Sequence, residues 1–160
     1  MIGIIADTHD NLEAISKAVN IFNQNKVDLV IHAGDLIAPF TVKEFSRLEN
    51  EFIAVFGNND GEREGLKEAY QDLCILEDFK EIEIANKRFG IIHGNNESLV
   101  DALSKSGKYD VIIRGHTHKL DIKEGKTLLI NPGEACGYVT GEKTVVLLEP
   151  QTLNYQVVKL

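Results

Sequence analysis

The sequence predicts a mixed α/β fold in which two β-sheets pack on each other and helices flank them. In the first half of the chain, short apolar runs alternate with segments of helical spacing, which is typical of parallel strands joined by crossover helices. In the second half, strand signals follow one another with turn residues between them. The 160 residues fit one domain of ordinary size, and no linker or repeat divides them. We therefore expect residues 1–160 to form a single domain.

The first half reads as strands followed by helices. Apolar residues recur at helical spacing from Leu12 to Phe22, and either Asp10 or Asn11 could cap this helix. Pro39 suits the first turn of the next helix. The predicted order is a strand at 2–6, a helix at 11–24, a strand at 28–33, a helix at 39–48, a strand at 52–56 and a helix at 62–72.

The second half contains mainly strands. Ala85 and Asn86 separate two apolar runs and predict a hairpin turn. Pro132-Gly133 and Thr140-Gly141-Glu142 predict further turns. The predicted elements are strands at 80–84 and 87–92, a helix at 97–106, and strands at 110–114, 120–123, 127–131, 143–149 and 154–159.

Composition narrows the classes of protein. The chain is 43% hydrophobic and 26% charged, with a net charge of −8, and it has no long basic patch, so a stable nucleic-acid partner is not expected. No apolar stretch approaches the ~18 residues of a membrane span, and no signal peptide is recognisable. Cys74 and Cys136 lack a C-x-x-C spacing and predict reduced, structural thiols. These features together predict a cytoplasmic protein without a membrane partner.

Five polar segments stand where predicted strands end, and they contain four of the five histidines. In open α/β sheets, the carboxyl ends of the strands converge on one crevice where ligands bind. Asp, His and Asn side chains from distant segments can therefore meet, and this set suits a metal centre with two metals. The segments are Asp7-Thr8-His9, Gly34-Asp35, Gly57-Asn58-Asn59-Asp60, His93-Gly94 and Gly115-His116-Thr117-His118.

Each segment alone has an ordinary structural explanation. A D-x-H triplet arises often by chance, and His93 could be a hydrogen-bonded histidine at a strand end. Gly34-Asp35 and Gly57-Asn58-Asn59-Asp60 are also good turn sequences. His116 and His118 carry more weight, since two imidazoles in one loop seldom help folding. The argument for a metal centre therefore depends on all five segments following predicted strands in one chain.

The order D-x-H, G-D, G-N-x-D, H-G and G-H-x-H resembles the calcineurin-like metallophosphoesterase family. The resemblance runs from residue 7 to residue 118. Asn131-Pro132-Gly133 and the segment from Gly57 to Glu62 look like the small single-domain archaeal or bacterial phosphodiesterases of this family. The resemblance implies a β-sandwich of two sheets flanked by helices, and a small phosphodiester as substrate.

The resemblance also implies a set of ligands and a mechanism. Asp35 would bridge two divalent cations, and a bridging hydroxide would attack the phosphorus atom in line. Two cations ~3.5–4 Å apart can clamp the attacking and leaving oxygens. Ligands without thiolate suit Mn²⁺ first, with Ni²⁺, Fe or Zn²⁺ as alternatives. The implied sets are Asp7, His9 and His118 for the first metal, and Asn58, His93 and His116 for the second.

One position departs from the pattern of many family members, which have a histidine where this chain has Asn59. The resemblance implies a catalytic role for this position in protonating the leaving group or stabilising the transition state. Asn59 can donate a hydrogen bond but cannot deliver a proton. General acid help contributes ~10²–10⁴-fold. We therefore expect slow turnover or a preference for good leaving groups.

Several nearby residues are better explained by structure. We expect His32 to be a packed, hydrogen-bonded histidine and Cys136 to be a buried thiol. Asn11 is expected to cap a helix rather than contact substrate, and Asp60 to support the Asn58 loop or cap the next helix. Finally, surface ion pairs are expected for the two remaining candidates, Arg63 and Arg114.

Two other functions remain compatible with the sequence. One is a non-catalytic scaffold for protein contacts with the same fold, as in a subunit of the eukaryotic retromer coat, although a scaffold need not keep all seven ligands. The other is a phosphomonoesterase or nucleotide hydrolase, which the ligand set does not distinguish from a diesterase. A homo-oligomer is compatible with either. No dinucleotide-binding, P-loop or G-x-S-x-G motif is present.

Overall fold

Ten strands form two five-stranded sheets in this computed structural model, which describes all residues from 1 to 160. The strands are β1 (Ile2–Ile5), β2 (Leu29–His32), β3 (Glu51–Ala54), β4 (Phe79–Ile84), β5 (Lys87–Ile92), β6 (Val111–Ile113), β7 (Leu120–Lys123), β8 (Leu128–Pro132), β9 (Thr144–Leu148) and β10 (Tyr155–Lys159). The helices are α1 (Leu12–Gln24), α2 (Val42–Phe45), α3 (Arg63–Tyr70) and α4 (Glu97–Lys105).

Both sheets are mixed. The first has the order β10-β9-β1-β2-β3, in which β1, β2 and β3 are parallel and β9 is antiparallel to both of its neighbours. The second has the order β4-β5-β6-β8-β7, in which β5, β6 and β8 are parallel. Each sheet therefore has three parallel strands, and the loops at their carboxyl ends can bring side chains from distant segments together.

The central strands of the first sheet, β9, β1 and β2, are buried on both faces. Successive residues of a strand point to opposite sides of the sheet. Ile4 and Ile31 therefore pack against Ile91 and Val111 of the second sheet, in the core between the sheets. Their neighbours, such as Ile5 and Val30, face the core beneath the helices. This burial explains the uninterrupted apolar runs of these strands, and it confirms the predicted sandwich flanked by helices.

The structure confirms a predicted helix cap and the predicted hairpin turn, but one predicted helix is wrong in part. Asn11 caps α1, since its side-chain oxygen accepts a hydrogen bond from Ala14 N at 3.1 Å. Ala85 and Asn86 have φ values of 52° and 59°, as a tight hairpin turn requires. The helix predicted at 39–48 is wrong beyond Phe45. Its start is a 3₁₀ turn at Pro39–Thr41, and its end switches back to three-residue hydrogen bonds, such as Leu48 N to Phe45 O.

No helix of this fold has the length and apolar character that crossing a bilayer requires.

Candidate metal centre

The five polar segments follow β1, β2, β3, β5 and β6, which are five of the six parallel strands of the two sheets. Three of these strands lie in the first sheet and two in the second, so their loops meet at one edge of the sandwich. The structure brings together all seven side chains that the sequence identified as candidate ligands. They form two groups that share Asp35.

The first group contains Asp7, His9, Asp35 and His118. One ligand atom from each lies within 4.8 Å of the others. His9 Nε2 is 3.3 Å from Asp35 Oδ2, and His118 Nε2 is 3.8 Å from Asp7 Oδ1. Two carboxylates and two imidazoles therefore face a common point.

The second group contains Asn58, His93 and His116. Asn58 Oδ1 lies 2.9 Å from His93 Nε2 and 2.8 Å from His116 Nδ1. His93 Nε2 is also 3.4 Å from Asp35 Oδ2. This Asp35 oxygen thus lies between the two groups, at nearly equal distances from His9 and His93.

The backbone of the site is strained. Non-glycine residues with positive φ cost ~1–3 kcal/mol each, and hydrogen bonds such as Asp7 N to Gly34 O at 3.1 Å hold these loops in place. Such strain concentrates where a fold fixes side chains for function. Five of the seven side chains belong to residues with positive φ, namely Asp7 (51°), His9 (41°), Asp35 (64°), His116 (73°) and His118 (61°).

Asp60 holds the central loops together. Its carboxylate accepts hydrogen bonds from the backbone nitrogens of Gly57 at 2.6 Å, Ile37 at 2.7 Å and Asp35 at 3.2 Å. It does not cap α3, whose cap makes no side-chain hydrogen bond. Two roles were predicted for Asp60, and the structure shows the first of them: its side chain supports the Asn58 loop.

The two carboxylates of the site are completely buried. Burial raises the pKa of Asp7 to about 6, and the charges of His93 and His118 only partly oppose this. Burial also favours a raised pKa for Asp35, but the imidazoles of His9 and His93 and the amide of Asn59 outweigh it, so the pKa of Asp35 lies below its ordinary value. Two buried carboxylates this close are stabilised best by cations.

The imidazoles respond to the same charges. The Asp35 carboxylate raises the pKa of His9. Burial opposes the charged form of His93, yet Asp35 more than compensates and the pKa of His93 is raised. Burial lowers the pKa of His116.

The donor set fits divalent metal ions. His9 Nε2 is buried and has no hydrogen-bond partner, because Asp35 Oδ2 is close but poorly directed. A buried ring nitrogen without a partner is unfavourable unless something else binds it. Imidazole nitrogens with carboxylate and amide oxygens are ligands that Mn²⁺, Fe, Ni²⁺ and Zn²⁺ accept. The residues present therefore fit divalent metal ions as a class.

Asn59 contacts the shared carboxylate directly. Its backbone nitrogen donates to Asp35 Oδ1 at 2.9 Å, and its side-chain amide donates to Asp35 Oδ2 at 2.8 Å. The amide thus lies at the centre of the site, where it fixes the orientation of Asp35.

His32 is the packed histidine that the sequence predicted. Its Nδ1 accepts from Gly34 N at 3.1 Å, and its Nε2 lies 3.0 Å from the hydroxyl of Thr8. That hydroxyl in turn donates to the carbonyl oxygen of Asp35 at 3.2 Å. Burial lowers the pKa of His32 to about 3, so the ring is neutral and supports the Asp35 loop from below.

The two arginines differ from each other. Arg63 is half-buried, pairs with Asp78 at 2.7 Å and lies over the Phe56 ring. Its partner Asp78 is exposed, so this is the surface ion pair that the sequence predicted. The prediction of a surface pair for Arg114 is wrong, because Arg114 is only 5% exposed. Its guanidinium lies against Gly94, where a Cβ would come within 2.9 Å of Nε, and it pairs with Glu97 at 2.7 Å. The absent side chain at Gly94 makes room for this buried cation.

Sequence reasoning gave no role to Glu134. Its side chain is completely buried and lies 2.8 Å from His118 Nδ1. The neighbouring Cys136 is the buried thiol that was expected, and burial raises its pKa to about 12. The only signal for Glu134 in the sequence is its position directly after Asn131-Pro132-Gly133.

The fold and this cluster of metal-binding side chains define a metallophosphoesterase. The family model of the calcineurin-like phosphoesterase superfamily domain matches residues 1–153, and the chain belongs to this family.

Similar proteins agree with this assignment. A phosphodiesterase of Methanocaldococcus jannaschii is 46% identical over 99% of this chain and 98% of its own length. The solved structure of an archaeal phosphodiesterase superposes with a TM-score of 0.95 at 46% identity, covering 99% of both chains. A Vps29 structure from Entamoeba histolytica has a TM-score of 0.71 at 21% identity over 99% of this chain and 98% of that one, a likeness that shows the fold alone.

Proposed function

We propose that this chain is a metal-dependent phosphodiesterase that uses two divalent cations. The observation that carries the proposal is the position of Asp35 Oδ2, 3.3 Å from His9 Nε2 and 3.4 Å from His93 Nε2, where one carboxylate oxygen can serve two metals. The phosphodiesterase relative at 46% identity supports the same activity.

The two groups of side chains provide the ligands. Asp7, His9 and His118 would hold the first cation, Asn58, His93 and His116 the second, and Asp35 both. When bound, two such cations supply Lewis acidity, lower the pKa of coordinated water and template an in-line displacement. The chain contributes a rigid frame, since strained loops and the Asp60 hydrogen bonds fix the ligands in advance.

The charge of the site favours an anionic substrate. The positive charge of two divalent cations exceeds the negative charge of the Asp7 and Asp35 carboxylates. The loaded centre is therefore positive, although the whole chain has a net charge of −8. The arginines that flank it, Arg63 and Arg114, are both paired with carboxylates. A phosphodiester carries one negative charge, whereas a monoester carries up to two. Neither of these arginines is free to bind the second charge of a monoester. This supports the diester over the monoester.

A cavity of about 240 Å³ opens beside the second group, with Asn58 and His93 in its wall. The Arg63–Asp78 ion pair and Asn95 also line it, but most of its exposed surface is apolar, so it can receive an uncharged ester arm. A larger cavity of about 410 Å³, near Glu81 and Tyr109, contains none of the seven ligands. The apolar side chains of the smaller cavity are Phe56, Phe79, Ile92 and Leu99.

Asn59 has a catalytic role in this proposal. Both of its hydrogen bonds orient Asp35, and its amide can stabilise charge but cannot protonate a leaving group. The enzyme should therefore work best on esters whose leaving group departs without general acid help.

The proposal includes finer points that the chemistry of the chain supports. Manganese is the first candidate metal, with Ni²⁺, Fe or Zn²⁺ as alternatives. Free thiols at Cys74 and Cys136 agree with the reducing cytoplasm, and the acidic charge agrees with a small substrate rather than a stable nucleic-acid partner. We also propose that residues 1–160 act as one domain. Light scattering tests whether it forms a homo-oligomer.

Hydrolysis of a chromogenic bis-aryl phosphodiester with Mn²⁺ tests the proposal. Asp35→Asn should abolish turnover, because it removes the shared ligand charge. Asp101→Asn is the matched control, since this exposed carboxylate pairs only with Lys105 on the surface of α4. Activity that persists in excess chelator, or that survives Asp35→Asn, would show that the reaction does not depend on this centre.

A further inference from the structure

Glu134 is a buried carboxylate surrounded by hydrogen-bond donors. It lies just after β8, its side chain has no exposed surface, and both of its oxygens accept hydrogen bonds. The donors are Cys136 Sγ (3.1 Å), Tyr138 N (3.0 Å), Val139 N (3.0 and 3.1 Å), Thr140 Oγ1 (2.7 Å) and Thr140 N. His118 Nδ1 also lies 2.8 Å from Glu134 Oε2.

These donors determine which nitrogen of His118 carries its proton. A backbone N–H can only donate, so the amides of residues 138–140 make both Glu134 oxygens acceptors. The bond between Glu134 and His118 Nδ1 therefore uses a hydrogen on Nδ1. In the neutral ring, the lone pair is then on Nε2. That nitrogen is on the side of the ring that faces Asp7, 3.8 Å from Oδ1.

We propose that Glu134 is a positioning residue, which fixes the tautomer and orientation of His118 so that Nε2 is presented to the first cation. The inference rests on the metal assignment of the proposed function. Partners of this kind orient metal-binding histidines and increase their basicity, and their loss costs ~10–100-fold in metal affinity. His93 is held in the equivalent way by a neutral group, since its Nδ1 lies 2.8 Å from the carbonyl oxygen of Ala33.

The same carboxylate anchors the loop beside the site. Its bonds to three consecutive amides hold residues 138–140, so Tyr138 and Val139 are 64% and 69% exposed on a loop whose backbone is fixed. A change at Glu134 could therefore act through His118 or through this loop. The experiments must separate these two routes.

The first experiment needs no variant and no metal. Long-range ¹⁵N–¹H correlation spectra of the metal-free protein distinguish a ring protonated at Nδ1 from one protonated at Nε2. We expect His118 to show the hydrogen on Nδ1 and the lone pair on Nε2. The opposite tautomer would overturn the proposal directly.

The second experiment measures the affinity for Mn²⁺ by competition with a chelating indicator. In Glu134→Gln, the amide must present its NH₂ group either to His118 Nδ1 or to the amides of Val139 and Thr140, so it cannot reproduce both sets of bonds. We expect a 10–100-fold weaker first site. Glu142→Gln is the matched control, because Glu142 is exposed and pairs only with Lys159. Thermal melting and circular dichroism confirm that each variant is folded.

A double-variant cycle separates the two routes. If Glu134 acts through His118, Glu134→Gln should cause no further loss of Mn²⁺ affinity in a His118→Ala background. An equal loss in both backgrounds would assign the effect to the loop and overturn the proposal. Because no step measures hydrolysis, a lack of diesterase activity leaves the inference intact. A wild type that binds no cation would refute both proposals, whereas cation binding unchanged by Glu134→Gln would refute this one alone.

Discussion

Gly57 permits the closest approach in the site, and replacing it tests how tightly the loops are packed. A Cβ added at Gly57 would lie 2.7 Å from Asp35 Cγ and closer still to Asp35 Oδ1 and N, where ordinary contact begins at 3.4 Å. The loop cannot retreat easily, because Gly57 N is bound to Asp60 Oδ2 at 2.6 Å. Gly57→Ala must therefore displace Asp35.

The expected size of the effect follows from this overlap. Overpacking by one methyl costs ~1–3 kcal/mol, and 1 kcal/mol shifts the melting midpoint of a domain of this size by ~2–4 °C. The midpoint of Gly57→Ala should fall by roughly 2–12 °C. Since a displacement of about 1 Å costs ~10²-fold in rate, kcat on an aryl diester should fall by at least that factor.

Gly61→Ala is the control within the same loop. A Cβ at Gly61 would meet nothing within 4 Å, so its stability and activity should match those of the wild type. Melting followed by circular dichroism and steady-state kinetics with Mn²⁺ compare the two variants. If Gly57→Ala melts within 1 °C of Gly61→Ala (well inside the ~2 °C expected for the smallest overlap), the close approach of these loops is refuted.

Three further predictions concern metal, pH and the leaving group. Chelation should lower the melting midpoint by roughly 5–11 °C, since metal at 100 times its Kd adds ~2.7 kcal/mol; an unchanged midpoint would contradict metal binding to the fold. His32 has a pKa lowered to about 3, so the unfolded chain binds its proton first and stability is lost as pH falls below ~6.5. Between pH 7 and 5 this removes about 2 kcal/mol, and urea unfolding of metal-free His32→Gln should show a smaller loss than wild type. Asn59→His should increase kcat on an alkyl leaving group by ~10²–10⁴-fold, the usual contribution of a general acid. If kcat does not increase, the chain does not lack a general acid at this position.

One physical reason explains why the strands and the candidate ligands could be predicted from the sequence. Strands buried on both faces, such as β1 and β2, are uninterrupted apolar runs, so their ends are sharp in the sequence. Side chains that follow the carboxyl ends of parallel strands converge on one crevice, regardless of how each loop is built. The sequence alone therefore predicted that Asp7, Asp35 and His93 lie close together.

Prediction failed where tertiary contacts outweigh local pattern. The helix predicted at 39–48 has acceptable helical residues, yet Thr41 binds Tyr70 of α3 through its hydroxyl at 2.8 Å, and the chain around it follows this packing rather than a regular helix. Arg114 was expected at the surface because arginine is mostly exposed. Its guanidinium occupies the space that the missing side chain of Gly94 leaves, and Arg114 Nη2 donates to the carbonyl oxygen of Gly94 at 2.9 Å. Neither residue on its own indicates this contact in the sequence.

Glu134 shows why the ligands of a site are easier to predict than the residues that orient them. A ligand must be a residue of a particular chemical type at a strand end, and both properties are visible in sequence. An orienting group needs only to accept one hydrogen bond, which any carboxylate or carbonyl can do: His118 uses Glu134, whereas His93 uses the backbone of Ala33. Because the backbone can play the same part without any sequence signal, the identity of such partners follows from coordinates and not from motifs.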